Sequence, residues 1–572
     1  MPLTVHPFSP HVTRALEQQF ILSHPTPEAW NDDRKIFNYI CWHLNQLGCK
    51  HVVVEDDYID RDYSEDYSAF YSTTFFDTGK SCVRLHFFSH LSRRSQKALT
   101  SEGSIPQIRA ATKKLQDAYL GFLVILPIPK SNIGRTVIAP RPGRYSEHYC
   151  TSYATTKVNL GGIPLAAHGA PFIQQDGHVA VCASAAIWVV SRVMQLLYNF
   201  QRFSLSRITT AANKHLHLNR EFPAIRGLTL DQIMSGFFEL GFTPICYNRE
   251  SVQAPTKWDP KEIIYKYIES NLPVIAIIRG SHACVIVGHD FHPSKKVADG
   301  GQLVSSSELI NCFLVQDDML GPYILMPEWH SITPGSTKFT LGKPSESEFS
   351  PFKDTPNLFT PYSIRDITSI IIPTFKKIYL EGQQIETLIR DTIEGQSSIL
   401  RSVYLEAMTE RRRPSISNML KVNAKTRAGR FEKILRNGTE KIFYRTRFML
   451  SNHFKEDYLL RKPFVPEGLA LQYSQMHFPR YLWVAELCLE EAIRTEECGT
   501  SQNGRTIIGE ILIDPTGPDD PGSIISVHFP GCLLVNSFYD PELENVEMIV
   551  LYPITDDAPY MSFDRSRLTV AQ

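Results

Sequence analysis

The sequence contains no run of eighteen uninterrupted apolar residues, so it predicts no membrane-spanning helix. Its eleven cysteines include no CxxC pair and show no regular spacing, a pattern typical of reduced thiols and not of a disulfide framework. The first residues lack a basic patch followed by an apolar run, so no secretory signal is predicted. From these absences we expect a cytoplasmic protein with no membrane contact.

Several catalytic motifs are also missing. No P-loop, GxSxG or HExxH sequence occurs, which removes the residues needed for nucleotide hydrolysis, for a serine hydrolase and for a zincin. Four residues are conceivable zinc ligands: His282, Cys284, His289 and His178. However, His282 and Cys284 share one face of their predicted strand while His289 falls on the other face, and no second paired ligand motif exists. We therefore expect no metal and no cofactor.

Net charge is small but unevenly placed. The formal net charge of -1 gives the whole chain no electrostatic preference for nucleic acid or membrane. Residues 55–66 hold seven acids against one Arg, and residues 411–447 hold twelve Lys or Arg against two Glu. The basic segment would suit a polyanion: a nucleic acid, an acidic protein face, or the acidic 55–66 stretch itself. The alternative is an ordinary solvated helix surface.

Length and patterning predict several domains of mixed structure. A chain of 572 residues is too long for one hydrophobic core. Residues 1–150 mix helical and β-like runs and are expected to form an N-terminal α/β region. Residues 151–345 form the central domain, and a stretch rich in Pro, Ser and Thr then leads into a C-terminal region, 360–572, which is helical first and β-rich later. The predicted class is α+β.

The central domain contains one unusually apolar segment. Residues 182–198 are rich in Ala and long aliphatic side chains without interruption, which predicts a buried helix. Two β-branched runs, 273–279 and 283–288, predict a pair of strands. We expect the helix to pack against the sheet that contains these strands.

A cysteine stands where a loop becomes this apolar helix. Cys182 would lie at the positive end of the helix dipole, beside unpaired N–H groups of the first turn. These features favour a thiolate and provide donors for an oxyanion. Gln174 and Gln175 come eight and seven residues earlier, and a side-chain amide from either could complete an oxyanion hole.

A histidine and two aspartates follow in an order that suits thiol chemistry. His282 opens the β-branched strand after an Arg-Gly-Ser turn, so it can face a nucleophile on a neighbouring helix. Asp317 and Asp318 close a later strand, and a carboxylate there could hold the imidazole in the correct tautomer. Each residue alone could be structural; together and in this order they predict a catalytic triad.

Over roughly residues 165–330 this arrangement resembles the papain-like cysteine peptidases, most closely the bacteriocin-processing branch that cuts after double glycines. The resemblance assigns Cys182 as nucleophile, His282 as base, Asp317 as the residue that orients the His, and Gln175 as oxyanion donor. It implies a central helix packed against an antiparallel sheet. The interval from Gln175 to Cys182 is seven where the family usually has six, and Ala183 follows the nucleophile where Gly is commoner.

The resemblance implies a thiol-dependent hydrolase, a cysteine peptidase or amidase acting on a peptide or protein through a thioester. With an amine in place of water, the same residues would make a transamidase or acyltransferase. A third reading is a catalytically inactive papain-like scaffold that binds a protein or nucleic acid through the basic segment 411–447. The intact Cys, His and Asp favour an enzyme over the scaffold.

Overall fold

The computed structural model of the chain describes most of it in eighteen ranges and two single positions. These are residues 3–8, 27–75, 78–100, 105–128, 131–141, 147–176, 181–214, 227–250, 258–291, 295, 297, 302–328, 358–395, 398–411, 427–438, 440–461, 465–490, 506–536, 549–554 and 560–561. Among the helices found there, none combines the length and apolarity needed to cross a bilayer.

The N-terminal region is built on a five-stranded sheet. Its strands are β1 (Leu3–Pro7), β2 (His51–Tyr58), β3 (Cys82–Phe88), β4 (Tyr119–Ile125) and β5 (Ile133–Ile138). Its helices are α1 (Pro27–Gln46), α2 (Arg61–Ala69), α3 (Arg93–Leu99) and α4 (Ile105–Ala118). The strands pair in chain order and are antiparallel throughout. The expected mixture of helix and strand is present, but an antiparallel sheet makes the region α+β and not α/β.

The middle of the chain forms a second, seven-stranded sheet. Its strands are β6 (Glu147–Cys150), β9 (Thr243–Asn248), β10 (Val274–Ile278), β11 (His282–Phe291), β13 (Ile310–Asp317), β14 (Gly321–Pro327) and β15 (Ile367–Thr374). Their order is β14-β13-β11-β10-β15-β9, with β6 paired to β11, and every pairing is antiparallel. A hairpin of β7 (Ala154–Leu160) and β8 (Ile163–Gly169) packs nearby on β4 and β5.

Four helices accompany the central sheet. They are α5 (Cys182–Tyr198), α6 (Leu205–Asn213), α7 (Leu230–Glu239) and α8 (Pro260–Ile268). Helix α5 packs against β10 and β11, and its side chains are buried from residue 183 to residue 194. Asn199 ends the helix in the left-handed conformation, a common helix stop. The buried helix predicted over 182–198, packed on this sheet, is confirmed.

The C-terminal region carries a third sheet. Its strands are β12 (Leu303–Ser305), β16 (Ile442–Leu450), β17 (Tyr481–Leu489), β19 (Gly509–Ile513), β20 (Ile524–Phe529), β21 (Cys532–Asn536) and β22 (Ile549–Pro553). A separate ladder joins β18 (Thr506–Ile507) to β23 (Tyr560–Met561). The helices are α9 (Gly382–Glu394), α10 (Ile399–Arg411), α11 (Arg427–Asn437), α12 (Ser451–Glu456) and α13 (Glu467–Gln475). Only β12 runs parallel to its neighbour, β16, among the pairings of this sheet that the structure describes.

Sheet membership does not follow the sequence-based ranges at two places. Strand β15 lies beyond residue 360, yet it forms the link between β10 and β9 in the central sheet. Strand β12 comes from within 151–345, yet it pairs with β16 of the C-terminal sheet. The two regions therefore exchange strands and share a continuous packing surface.

A buried group of charged side chains joins the central and C-terminal sheets. Nη1 of Arg445 donates to Glu269 at 2.9 Å and its Nη2 donates to Glu486 at 2.5 Å. The same Glu269 also accepts from His289 at 2.5 Å, and Arg447 donates to Glu486 at 2.7 Å. All five side chains are at most 7% exposed. Each carboxylate is thus bound by at least two donors, as buried charges require.

Replacing the central cation of this group should destabilise the fold strongly. Arg445→Met leaves Glu269 and Glu486 buried with less counter-charge, so we expect the free energy of unfolding to fall by about 3–5 kcal/mol in urea denaturation. Arg430 is a matched control because its partner Glu440 lies at 2.8 Å with both side chains solvated. Arg430→Met should cost less than about 1 kcal/mol. Equal losses in the two variants would contradict the prediction.

Candidate active site

Cys182 is the first residue of α5 and is partly exposed. Val181 precedes it in an extended conformation, and its side chain makes no capping hydrogen bond. The N–H groups of the first helical turn therefore remain for another acceptor, and the positive end of the helix dipole lies at the thiol. Such surroundings stabilise a thiolate on the sulfur or an oxyanion next to it.

His282 opens β11 directly after a tight turn from β10. Within this turn Arg279 and Gly280 have positive φ angles of 49° and 68°. The turn pairs His282 with Ile278 across the hairpin. The imidazole lies close enough to Cys182 for the thiol to contribute to the raised pKa of His282. The two residues predicted as nucleophile and base therefore meet in the folded chain.

Asp317 ends β13 and is fully buried. Its carboxylate accepts a hydrogen bond from Nε2 of His282 at 2.8 Å. The backbone N–H groups of Met319 and Leu320 donate to its other oxygen at 2.9 and 3.1 Å. The hydroxyl of Tyr362 donates to the oxygen that His282 uses. Four donors hold Asp317 in one orientation, which in turn fixes the imidazole.

The imidazole is a strong base in this setting. Burial lowers the pKa of His282, but the hydrogen bonds with Asp317 and Cys182 and the charges of Asp317 and Asp318 raise it to about 11. His282 is therefore protonated at neutral pH. An imidazolium beside a thiol is the arrangement by which thiol nucleophiles are generally activated.

Asp318 follows directly and is also buried, with 6% of its surface exposed. Neither of its carboxylate oxygens has a hydrogen-bond partner among the described residues. Burial and, after it, the charge of Asp317 raise the pKa of Asp318 to about 8, although His282 lowers it. Of the two aspartates that the sequence left as alternatives, Asp317 is the one bonded to the imidazole.

The two glutamines before the thiol have different surroundings. Gln174 is buried, and its side-chain oxygen accepts the N–H of Ile133 in β5 at 3.3 Å. Gln175 is partly exposed, and its side chain makes no hydrogen bond to another described residue. Among the described residues, then, Gln174 takes part in fixing the loop and the Gln175 amide is not committed to another group. Residues 177–180, between Gln175 and Cys182, lie outside the described ranges.

A small cavity lies beside the thiol, between α5 and the central sheet. It has room for about one water molecule. Cys182, Gln316 and Asp318 form its polar side, and the remaining lining is apolar. The Gln316 amide is already engaged, because it donates to the carbonyl of Ala170 and accepts the N–H of Tyr323, both at 3.0 Å. Asp318 is therefore the carboxyl that faces this space without a partner of its own.

Tyr362 is the site residue that sequence reasoning missed. Its ring centroid lies 5.8 Å from that of His282, and its hydroxyl binds Asp317. The backbone around it is held at β14, since the N–H of Thr360 donates to the carbonyl of Leu325 at 2.9 Å. The segment shows no catalytic motif, and it reaches the site only because β15 joins the central sheet. No local sequence signal could have found it.

The residues weighed as zinc ligands separate in the structure. His289 is bonded to Glu269 in the buried group between the sheets. Cys284 is buried, and its thiol points at a backbone carbonyl of β10. His178 lies outside the described ranges. The side chains that do converge among the described residues are instead His282 and the two adjacent aspartates.

The acidic 55–66 stretch and the basic 411–447 segment do not pair with each other among the described residues. Acids of the first pair with arginines elsewhere: Glu55 with Arg84, Asp60 with Arg135, and Asp62 with Arg192. Cations of the second pair with carboxylates outside 55–66: Arg430 with Glu440, Arg436 with Glu432, and Arg445 and Arg447 with Glu486. Residues 412–426 lie outside the described ranges, and polyanion binding there stays a prediction.

The loop that carries Gln175 is anchored to the N-terminal region. The hydroxyl of Tyr71 donates to the buried carboxylate of Asp176, the next residue along. Near it, the carboxylate of Asp66 accepts the N–H of Ser206 at 2.8 Å. Burial and, to a smaller extent, the charges of neighbouring carboxylates raise the pKa of Asp66 to about 7, although the hydrogen bonds from Ser206 lower it.

Comparisons of the chain with protein-family models, with characterised proteins and with solved structures find no match. Any function assigned to the site must therefore be argued from the chemistry and geometry of its own residues.

The raised pKa of Asp66 predicts a pH-dependent stability. The folded protein holds this proton up to about pH 7 and the unfolded chain releases it near pH 4, so folding becomes less favourable as pH rises through that window. Asp66→Asn keeps an acceptor for Ser206 and cannot ionise. It should exceed wild type in unfolding free energy by roughly 2–4 kcal/mol at pH 8 and match it near pH 4.

The measurement is urea denaturation at both pH values. Asp117→Asn is the control, because Asp117 is exposed on α4 and should give no pH-dependent difference. An Asp66→Asn offset that is the same at pH 4 and pH 8 would show that Asp66 does not carry the titration.

Proposed function

We propose that this chain is a thiol-dependent amide hydrolase of the papain-like class, a cysteine peptidase or amidase. One arrangement carries the proposal: Cys182 lies beside the imidazole of His282, and Nε2 of that imidazole is bonded to Asp317. The surrounding fold supports it. A buried helix headed by the thiol packs on an antiparallel sheet, and the His and Asp lie on the adjacent strands β11 and β13.

The first half of the reaction forms a thioester. The Cys182 thiolate attacks the substrate carbonyl carbon, and the oxygen becomes an oxyanion. The N–H groups of the first turn of α5 and the side-chain amide of Gln175 are the donors offered to it. His282 then gives its proton to the leaving nitrogen as the C–N bond breaks, and Asp317 keeps the ring in place.

The second half releases the acyl group. Neutral His282 takes a proton from water, and the hydroxide oxygen bonds to the thioester carbon. The C–S bond breaks, the acid departs, and the sulfur and imidazole return to their charged pair. An amine entering in place of water would transfer the acyl group by the same steps. Because the cavity beside the thiol holds only about one water molecule, a peptide would lie along the exposed side of Cys182.

Selective alkylation tests whether the thiol is activated. Cys182 and Cys246 are the two partly exposed cysteines among those described, and burial raises the pKa of the Cys246 thiol. At pH 6 iodoacetamide should label Cys182 on the order of 10–100-fold faster than Cys246, because His282 stabilises only the former thiolate. Peptide mapping by mass spectrometry measures both rates in one sample.

His282→Ala should bring the two labelling rates together. Circular dichroism should show that the variant is folded. Comparable labelling of Cys182 and Cys246 in the wild type, unchanged by His282→Ala, would leave a folded scaffold without thiol chemistry. A wild type that labels selectively but turns over p-nitrophenyl acetate only when an amine is added would instead favour the transamidase.

Tyr362 is proposed as a positioning residue, since its hydroxyl bonds to Asp317 and not to the thiol of Cys182. Tyr362→Phe keeps the ring and removes one donor to Asp317. Turnover of p-nitrophenyl acetate should fall about 10-fold in kcat with little change in KM, as loss of a hydrogen bond to a charged group implies. Asp317→Asn should lose more, because the tautomer of His282 is then no longer fixed.

The matched control is Tyr458→Phe, which removes a buried tyrosine hydroxyl from Glu510 in the C-terminal region. It should leave kcat unchanged. A Tyr362→Phe variant with wild-type kcat and wild-type pH profile would assign the residue to packing alone.

A further inference from the structure

Asp318 is a buried carboxyl that has no hydrogen-bond donor from the described residues. It is 94% buried, and neither oxygen has a hydrogen-bond partner among the described residues. Its neighbour Asp317, in contrast, is bound by four donors. A carboxyl taken out of water without a partner is costly, so such a group usually holds a proton or faces a cation.

The surroundings of Asp318 have the geometry of a cation site. One nitrogen of His282 and one oxygen each from Asp317 and Asp318 lie within 4.8 Å of one another. Three such atoms can close on a single ion with small side-chain rotations, since metal–ligand distances of about 2.0–2.2 Å leave ligands about 3–4 Å apart. The water-sized space against which Asp318 lies gives room for an ion or its bound water.

We propose that His282, Asp317 and Asp318 form a binding site for a divalent cation of the zinc class, and that its occupancy switches off the thiol. The second half of this statement rests on the proposed hydrolase function. An ion bound to Nε2 of His282 replaces the proton that this nitrogen shares with Asp317. The ion then lies between Nε2 and Asp317, so the direct hydrogen bond through which Asp317 orients the ring is broken.

The ligand set favours zinc over magnesium or calcium. Zinc accepts both imidazole nitrogen and carboxylate oxygen as ligands, and three protein ligands leave one tetrahedral position for water. Magnesium and calcium prefer six or more oxygen ligands, and two carboxylates in a buried pocket do not provide them. The proposed site also differs from the one considered on sequence grounds, because it uses neither Cys284 nor His289.

Binding is tested without the thiol, which could itself capture zinc. In the Cys182→Ala background, Zn²⁺ should raise the Tm by about 2–5 °C at concentrations well above its dissociation constant, and Mg²⁺ should not. Asp318→Asn in that background should abolish the shift. Asp290→Asn, which removes a buried carboxylate on β11 outside the cluster, should retain it.

The switch is tested on the chain with its thiol. Zn²⁺ should slow iodoacetamide labelling of Cys182 about tenfold or more, and EDTA should restore it. The ratio of rates with and without zinc should return towards one in Asp318→Asn. Labelling without zinc reports on the hydrolase proposal, whereas the Tm shift in Cys182→Ala does not depend on it, so the two can fail separately.

Three outcomes would overturn the inference. No Tm shift with Zn²⁺ would mean that Asp318 holds a proton and no cation. A shift that survives Asp318→Asn would place zinc elsewhere on the chain. Zinc binding that leaves the labelling of Cys182 unchanged would remove the switch.

Discussion

The packing of α5 on β10 and β11 is the constraint on which the candidate site depends. The helix is buried from residue 183 to residue 194, and Trp188 is inaccessible to solvent. Each large apolar side chain removed from water stabilises the fold by about 1.5–3 kcal/mol. The helix therefore has one strongly preferred position against the sheet. Cys182 lies at the N-terminal end of this buried stretch, where the helix reaches the surface beside His282. The energy that fixes the core thereby also fixes the sulfur against the imidazole.

Buried charge is treated in two ways in this molecule. Between the central and C-terminal sheets, Arg445 and its partners satisfy one another, which suits a structural role. Beside Cys182, Asp317 is fully bonded while Asp318 is not. An unsatisfied buried carboxyl lowers stability and is retained where a ligand or a reaction uses it. Among the buried carboxylates that the structure describes, Asp318 is the one with both oxygens unsatisfied.

The parts that sequence could predict are those set by local pattern. The helix over 182–198 and the hairpin that presents His282 follow from periodicity and turn chemistry within short windows. The sequence could not decide which of Asp317 and Asp318 bonds to His282. That choice depends on the residue at which β13 ends, because successive side chains of a strand point to opposite faces of the sheet. The role of Tyr362 and the insertion of β15 into the central sheet could not be predicted from the sequence, because pairing between distant strands leaves no local pattern.

The site is consequently a property of the whole chain and not of its central segment. Tyr71 of the N-terminal region anchors Asp176, beside the proposed oxyanion donor. Tyr362, which lies beyond the central segment, completes the shell around Asp317. Strand β15 fills the gap between β10 and β9, and without it both would be left with unpaired edges. The regions that match no motif supply the geometry, and the recognisable residues supply the chemistry.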